Sequence, residues 1–151
     1  MRKNLFDKTT AEDIIARTRL LQADSKGNWG TMNATEMLLH CNKANQQIFD
    51  DTEMDYKKST LKQQVLKFLS LYIVPQFPKN IKGAAKNDTR GKINPEAFEE
   101  QKRKFIETIQ KFPDRKGPIK LMHPAFGRLS TKQWGIAAWK HMDHHLRQFG
   151  V

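Results

Sequence analysis

The chain has 151 residues and a mass of 17.6 kDa, with 38% hydrophobic and 28% charged residues, and we expect a single globular domain over residues 1–151. A chain of this length folds without disulfides or a structural metal, and its single Cys41 excludes an intrachain disulfide. Against 16 Asp and Glu, the 27 Lys and Arg give a net charge of +11, so nucleic acid or an anionic ligand must be considered.

The first predicted helix runs from about Thr10 to Gln22, because its apolar residues recur at roughly helical spacing. Thr9 or Thr10 is expected to cap the amide groups exposed at its start. The helix should end before a cluster of turn-forming residues at positions 24–28.

The second predicted helix opens at Asn33 and continues to about Asp50. Asn33 and Glu36 have the spacing of a capping box, in which each side chain accepts a hydrogen bond from the backbone of the other residue. The residues expected on its inward face are Met37, His40 or Cys41, Ala44 and Ile48.

The third predicted helix starts after Ser59 and ends at Pro75, because proline lacks the amide proton that the helix needs. Its apolar residues are Leu61, Val65, Phe68, Leu69 and Tyr72. Residues 79–94 show little apolar periodicity and many turn formers, and we expect an exposed, mobile connection long enough to cross the molecule.

A fourth helix is expected to open at Asn94, with Pro95 at its first helical position, and to end before Pro113. Its apolar face consists of Phe98, Phe105, Ile106 and Ile109. After an irregular stretch at 123–127, Ser130 or Thr131 should cap a last helix to about residue 148. Five helical segments without a convincing strand pair predict an all-α bundle.

The last helix carries the residues most indicative of function. Steps of 4, 3, 4 and 3 place five of its residues on one inward stripe, namely Trp134, Ala138, His141, His145 and Gln148. Side chains four apart differ by about 40° around a helix, so His141 and His145 can reach one point. His144 lies about 100° from His145, and we expect it at the surface or flanking the stripe.

His40 occupies an otherwise apolar position on the second helix, so three histidines face inward from two helices. Taken alone, His40 is more readily interpreted as a core histidine bonded to a backbone carbonyl. Taken together, the three favour a divalent metal site for Zn²⁺ or Ni²⁺, with at least one position open for water or substrate.

Other chemistries receive less support from the sequence. No carboxylate shares the stripe of His141, as an iron site with two histidines and one carboxylate would need, and the HExxH protease motif is missing. Cys41 adjoins His40, but neighbouring side chains in a helix point about 100° apart. We expect an inert, partly buried thiol rather than a nucleophile.

The partners that the sequence predicts are small molecules. The longest apolar run, residues 68–74, falls well short of the roughly 20 residues that cross a bilayer, so we expect no membrane partner and no transmembrane protein. The basic N-terminus lacks the apolar stretch of a signal peptide, which predicts a cytoplasmic protein. Without an arginine-rich run or a base-stacking aromatic pattern, a solvated lysine-rich surface is favoured over nucleic-acid binding.

These motifs resemble those of a known superfamily. The pattern His141-x-x-x-His145-x-x-Gln148, together with His40 after Trp29-Gly30-x-Met32, is similar to the DinB/YfiT-like metalloenzymes. The nearer resemblance is to a branch of domains of unknown function, on motifs that read here His123-Pro124-Ala125-Phe126-Gly127, Trp134-Gly135 and His144-His145-Leu146-Arg147-Gln148-Phe149-Gly150.

The resemblance implies a four-helix bundle with a long crossover connection, short accessory helical segments and frequent dimerisation. It implies His40, His141 and His145 as metal ligands, and characterised relatives transfer thiols such as bacillithiol, mycothiol or glutathione onto electrophilic small molecules. A non-catalytic binding or stress-response module is the alternative.

Three further residues have candidate roles near that site. Gln148 is expected to orient a ligand imidazole or bind substrate, although a structural role is an equal alternative. His123 is either a fourth ligand or proton carrier, or a turn residue that holds its loop. Trp134 is expected to pack the core and to wall the metal pocket.

Overall fold

The computed structural model describes residues 2–50, 58–81, 83 and 85–151, and within them the chain is mainly helical, which confirms the all-α prediction. The α-helices are α1 Lys8–Leu20, α2 Ala34–Asp50, α3 Leu61–Phe68, α4 Phe98–Lys111 and α5 Thr131–Gln148. A π-helical segment, Leu69–Ile73, continues α3, and single 3₁₀ turns occupy Ala85–Asn87 and Pro95–Ala97. No described helix is long and apolar enough to span a membrane.

Four of the helices form the bundle: α2 packs on α4 and α5, and α1 packs on the same two helices. They enclose one continuous hydrophobic core, in which Met37, Phe105, Ile109 and Met142 are almost completely buried. The most central helix is α5, since 12 of its 18 residues are buried. Most polar residues of α5 therefore face protein rather than water.

The predicted capping signals of α2 and α5 are confirmed. The amide of Glu36 donates to Asn33 Oδ1 and the amide of Asn33 donates to Glu36 Oε2, at 2.9 and 2.8 Å. Ser130 and Gln133 form the same reciprocal pair at the start of α5. These bonds satisfy amides that the helix itself leaves without acceptors.

The predicted start of α1 is wrong. The helix begins at Lys8, so Thr9 and Thr10 lie within its first turn, and Asp7 occupies the capping position without a capping side-chain bond. It also ends at Leu20 rather than at residue 22. Thr10 is buried against the core, and this packing outweighs the local preference of threonine for a cap.

The irregular stretch predicted at residues 123–127 is a small antiparallel hairpin of β1 Met122–His123 and β2 Gly127–Arg128. Its strands of two residues each are too short to produce a periodic pattern in the sequence. The chain reverses over residues 124–126, and Gly127, the first residue of β2, has a φ of 68° that glycine adopts without strain.

The third helix ends before Pro75 as predicted, but α3 lies outside the bundle and none of its residues is buried. The π-helical segment after it is held to α5 by Lys140. The ammonium group of Lys140 donates to the carbonyl oxygens of Ser70 and Val74, and the side chain is 5% exposed. One buried cation thus binds the carbonyl end of the segment, where the backbone dipoles favour positive charge.

We expect Lys140→Met to lower the free energy of unfolding by about 1–3 kcal/mol, because two carbonyl groups lose a charged donor while the apolar stem of the side chain is kept. Urea denaturation at neutral pH measures the change. Lys132→Met, at an exposed lysine of the same helix, is the control and should stay within about 0.5 kcal/mol of the parent. Equal losses in the two variants would contradict a specific role for Lys140.

Candidate metal centre

Three histidine side chains meet where α2 faces α5, and they are the three that the sequence predicted as ligands. His141 Nε2 lies 2.9 Å from His40 Nε2 and 3.1 Å from His145 Nε2. One candidate ligand atom from each residue falls within 4.8 Å of the other two. His145 is buried, whereas His40 and His141 keep partial access to solvent. The cluster therefore lies largely within the protein, and His145 is the most enclosed of the three residues.

The spacing between these nitrogens suits a shared divalent ion. Two imidazole nitrogens bound to one zinc ion at 2.0–2.1 Å lie about 2.9 Å apart at a right angle and about 3.3 Å apart at the tetrahedral angle. The two Nε2 separations that involve His141, 2.9 and 3.1 Å, fall within that interval, and the third pair of ligand atoms lies within 4.8 Å. The described residues thus have the donor set and the approximate spacing of a three-histidine site for a divalent ion.

Hydrogen bonds on the far side of two of these rings fix their tautomers. His40 Nδ1 lies 2.8 Å from the carbonyl oxygen of Asn87, so this nitrogen must carry the proton. His145 Nδ1 lies 2.8 Å from Gln148 Oε1, and Gln148 Nε2 donates to the Trp29 carbonyl, which identifies Oε1 as the acceptor. Both rings therefore turn an unprotonated Nε2 towards the centre of the cluster.

The Nε2 atom of His141 faces two nitrogen lone pairs, those of His40 Nε2 and His145 Nε2. A neutral His141 ring has one N–H, so Nε2 can donate to one neighbour at most, and one of the two close contacts then joins two acceptors. Protonation of His141 would not supply a second donor at Nε2, because each ring nitrogen carries at most one hydrogen. Burial and the charges of the neighbouring histidines in addition hold the pKa of His141 well below its usual value. The arrangement is one that a bound cation would complete.

The other two rings are also neutral at physiological pH. Burial lowers the pKa of His145 to about 3, a shift that the bond to Gln148 only partly offsets. Burial also lowers the pKa of His40, against the opposing effects of the Asn87 carbonyl and the Asp88 charge. Neutral imidazole is the form that binds metal ions, so the site needs no deprotonation before binding.

The carbonyl of Asn87 is held in place by bonds between its loop and α2. The hydroxyl of Thr89 donates to the Glu36 carbonyl, and the amide of Gly91 donates to Glu36 Oε1, both at 2.6 Å. Thr89 is completely buried. The prediction of an exposed connection at residues 79–94 is therefore wrong for this part, because the loop satisfies its polar groups on α2.

Gly30 leaves the space that Gln148 needs. A Cβ atom at this position would lie 2.6 Å from Gln148 Nε2, and the φ of 76° is itself unfavourable for other residues. The Gln148 amide can therefore approach the chain closely enough to donate to the carbonyl of Trp29, at 2.7 Å. The Trp29-Gly30 pair holds Gln148, and Gln148 orients the ring of His145.

His123 is close to the cluster but not part of it. Its Nδ1 accepts the amides of Ala125 and Phe126 at 3.1 and 3.2 Å, and its ring stacks on Phe126. These contacts match the alternative in which His123 holds its own turn. Trp134 is buried beside it, 5.4 Å between ring centroids, and its indole N–H has no partner among the described residues.

Of the two predicted positions for His144, the surface is wrong, whereas a place flanking the cluster is confirmed, because its ring lies 5.1 Å from that of His145. The side chain of His144 is buried, packs edge-on against Trp29 and bonds to the backbone of Phe77. A side chain 100° away from a buried stripe reaches solvent only if the helix has one buried face, and α5 is buried on nearly all sides. Cys41 is completely buried and burial raises its pKa, in agreement with the inert thiol that the sequence predicted.

The fold and the site together define an all-α protein with a candidate three-histidine metal centre between two helices of its bundle. Over residues 2–150 the chain matches the family described as "Protein of unknown function (DUF1569)", and it belongs to that family. No curated protein and no solved structure matches the chain.

The environment of His123 makes stability depend on pH. Burial lowers its pKa to about 4 in the folded protein, against about 6.5 when unfolded, so its contribution to stability is complete above pH 6.5 and is lost as the pH falls. Between pH 7 and pH 5 we expect the free energy of unfolding to fall by up to about 2 kcal/mol on this account.

The His123→Asn variant separates this titration from that of other groups, because the asparagine carbonyl can accept the same amides without titrating. Urea denaturation of both proteins at the two pH values measures the difference. The variant should lose less stability than the parent, and identical losses would show that His123 is not a low-pKa group.

Proposed function

We propose that this protein is a divalent-metal-dependent enzyme that transfers a small thiol onto an electrophilic small molecule. The observation that carries the proposal is the convergence of three neutral imidazole nitrogens, with two of the tautomers fixed by hydrogen bonds to Asn87 and Gln148. The thiol class comes from the resemblance to the DinB/YfiT-like superfamily, which stays a prediction, as does the homodimer that it implies.

Three protein ligands would leave at least one coordination position of a divalent ion for a further ligand, and His40 and His141 are the two partly exposed residues of the cluster. A divalent ion, Zn²⁺ or Ni²⁺ by the chemistry of the ligands, would lower the pKa of a coordinated thiol and supply thiolate at neutral pH. Among the described residues, no carboxylate joins the three histidines of the cluster as a further ligand. The site is thus suited to bind a small ligand that carries its own nucleophile.

In this proposal the neighbouring residues fix the orientation of the histidine rings. Asn87 and Gln148 accept the Nδ1 protons of His40 and His145, so both rings are prevented from turning a proton towards the ligand site. Lys79 stacks over Trp29, 4.8 Å from the ring centroid. Its positive charge, together with the net charge of +11, would favour an anionic thiol.

The proposed reaction balances without an oxidant or reductant. The thiol sulfur forms a bond to an electrophilic carbon of the acceptor, and the leaving group departs with the electron pair of the bond that breaks. The thiol proton passes to solvent or to the leaving group. No residue in the described part of the chain needs to change its oxidation state, in keeping with the inert Cys41.

A non-catalytic binding or stress-response module is the second candidate, and one observation favours it. Two open depressions of about 490 and 300 Å³ lie at the surface, the first lined by Phe49, Glu107 and Asp114 and the second by Glu12 and Pro113, and neither includes a histidine of the cluster. Such a module would keep the bundle but would not turn over a thiol.

Metal content is the first test of the proposal. We expect untagged protein, purified without chelators, to contain close to one equivalent of divalent metal by elemental analysis. His141→Ala should remove at least nine-tenths of it, because the remaining two histidines no longer enclose the ion. His123→Ala is the matched control and should retain the metal.

The transferase activity is tested separately on the metal-loaded protein. Bacillithiol, mycothiol and glutathione are each supplied with a chromogenic electrophile, and product formation should depend on both the metal and His141. Metal binding without turnover of any thiol favours the module. An absence of metal after reconstitution with Zn²⁺ and Ni²⁺ would contradict the enzyme and favour the module.

Gln148→Ala should weaken metal binding about 10–100-fold without abolishing it, because the ring of His145 loses the acceptor that fixes its tautomer. Competition with a chelator of known affinity measures the change. Gln110→Ala, at an exposed glutamine of α4, is the control and should leave the affinity unaltered. Equal affinities of all three proteins would show that Gln148 does not support the ligand.

A further inference from the structure

The helix α3 turns its polar side towards the protein and its apolar side towards solvent, the reverse of the usual amphipathic helix. Together with the π-helical segment it exposes six large apolar side chains, each 40–77% accessible, on one side. We call this surface the α3 face, and it consists of Leu61, Val65, Leu66, Phe68, Leu69 and Ile73. Apolar side chains clustered in this way on a monomer mark a surface that meets another apolar phase.

Specific contacts hold the polar side of the helix against the protein. Gln63 Nε2 donates to the Pro124 carbonyl and Lys67 Nζ donates to the Arg128 carbonyl, both at 3.1 Å. Leu71, on the same side, is completely buried. The outward direction of the apolar side chains therefore follows from the polar contacts on the opposite side, with Lys140 fixing the end of the segment.

The charge of the described segment that carries the α3 face, residues 58–81, has one sign. Residues 56–87 contain seven lysines and no aspartate or glutamate. Lys58 and Lys62 are exposed at the start of the helix beside the apolar side chains. A second copy related by a two-fold axis would bring the same lysines together with no acidic group on the face to pair with them. The charge complements an anionic surface instead.

The shape of the face distinguishes a lipid surface from an acidic protein. Its side chains project from a single helix at the outside of the molecule, and Leu61 is 77% exposed. A protein partner needs a groove matched to such projections, whereas the interfacial region of a bilayer accepts them without a matched shape. Crossing a membrane requires a long apolar helix, but lying in its surface requires a basic amphipathic one.

We propose that the α3 face binds the surface of anionic phospholipid bilayers, with the helix axis parallel to the membrane, its apolar side chains inserted between headgroups, and Lys58 and Lys62 next to lipid phosphates. This inference is independent of the metal centre. The interaction would be peripheral and reversible, and weakened by salt because the lysines act in water.

The experiment uses the full chain and vesicles of phosphatidylcholine, either alone or with about 30% phosphatidylserine, at low and high salt. We expect sedimentation with the anionic vesicles at low salt and at least tenfold less binding to the neutral ones. Two variants test the face: Leu61→Gln with Phe68→Gln and Ile73→Gln, and Lys58→Glu with Lys62→Glu. Each should reduce the partition coefficient at least tenfold.

A matched control changes the same residue types elsewhere, at Leu20, which is 66% exposed at the end of α1, and at Lys43 of α2. Leu20→Gln with Lys43→Glu should bind like the parent, and helix content and metal content should be the same in all proteins. No binding by the parent, or binding that the α3 variants leave unchanged, would overturn the proposal. A dimer that dissociates in the triple variant, without vesicle binding, would assign the face to a second copy.

Discussion

Three imidazole nitrogens directed at one point are the constraint on which the site depends. The distances of 2.9 and 3.1 Å from His141 are too short for unprotonated nitrogens to coexist without a shared proton or cation. Burial removes the option of protonation, because it lowers the pKa of all three rings. The bundle therefore holds an arrangement that a bound divalent ion would complete.

Local helix signals contribute directly to this arrangement. The carboxylate of Glu36 closes the capping box of α2 through one oxygen and accepts the Gly91 amide through the other. The same residue thus starts the helix that carries His40 and anchors the loop whose Asn87 carbonyl orients the His40 ring. Glu36 therefore stabilises both the start of α2 and the site one turn further along, and its removal would destabilise both.

The helices and the ligand residues were predictable from the sequence because both depend on periodicity. A stripe of residues on α5 and an out-of-place histidine on α2 suffice to bring His141, His145 and His40 together. The carbonyl groups of Asn87 and Trp29 were not predictable, because every residue has a carbonyl and only the path of a loop selects one. The role of Gly30 depends on the same contact.

The exposure of the apolar side of α3 and the burial of His144 have one physical origin. A repeat of apolar residues reveals that a helix has two unlike sides, but not which neighbour covers each side. On α3 the polar side contacts the protein and the apolar side stays exposed. On α5 almost every side is covered, so His144 is buried although it leaves the stripe. Both outcomes are set by tertiary packing rather than by the period of the sequence.

The burial of α5 also explains why the cluster stands out from the other polar groups of the helix. Asp143 accepts from Arg17 and Arg147, and Lys140 donates to two carbonyls. Their partners are supplied by the chain, and a single unpartnered acceptor such as His144 Nδ1 could be satisfied by one water. No arrangement of protons on neutral rings satisfies both contacts of His141, whereas one cation accepts all three lone pairs at once.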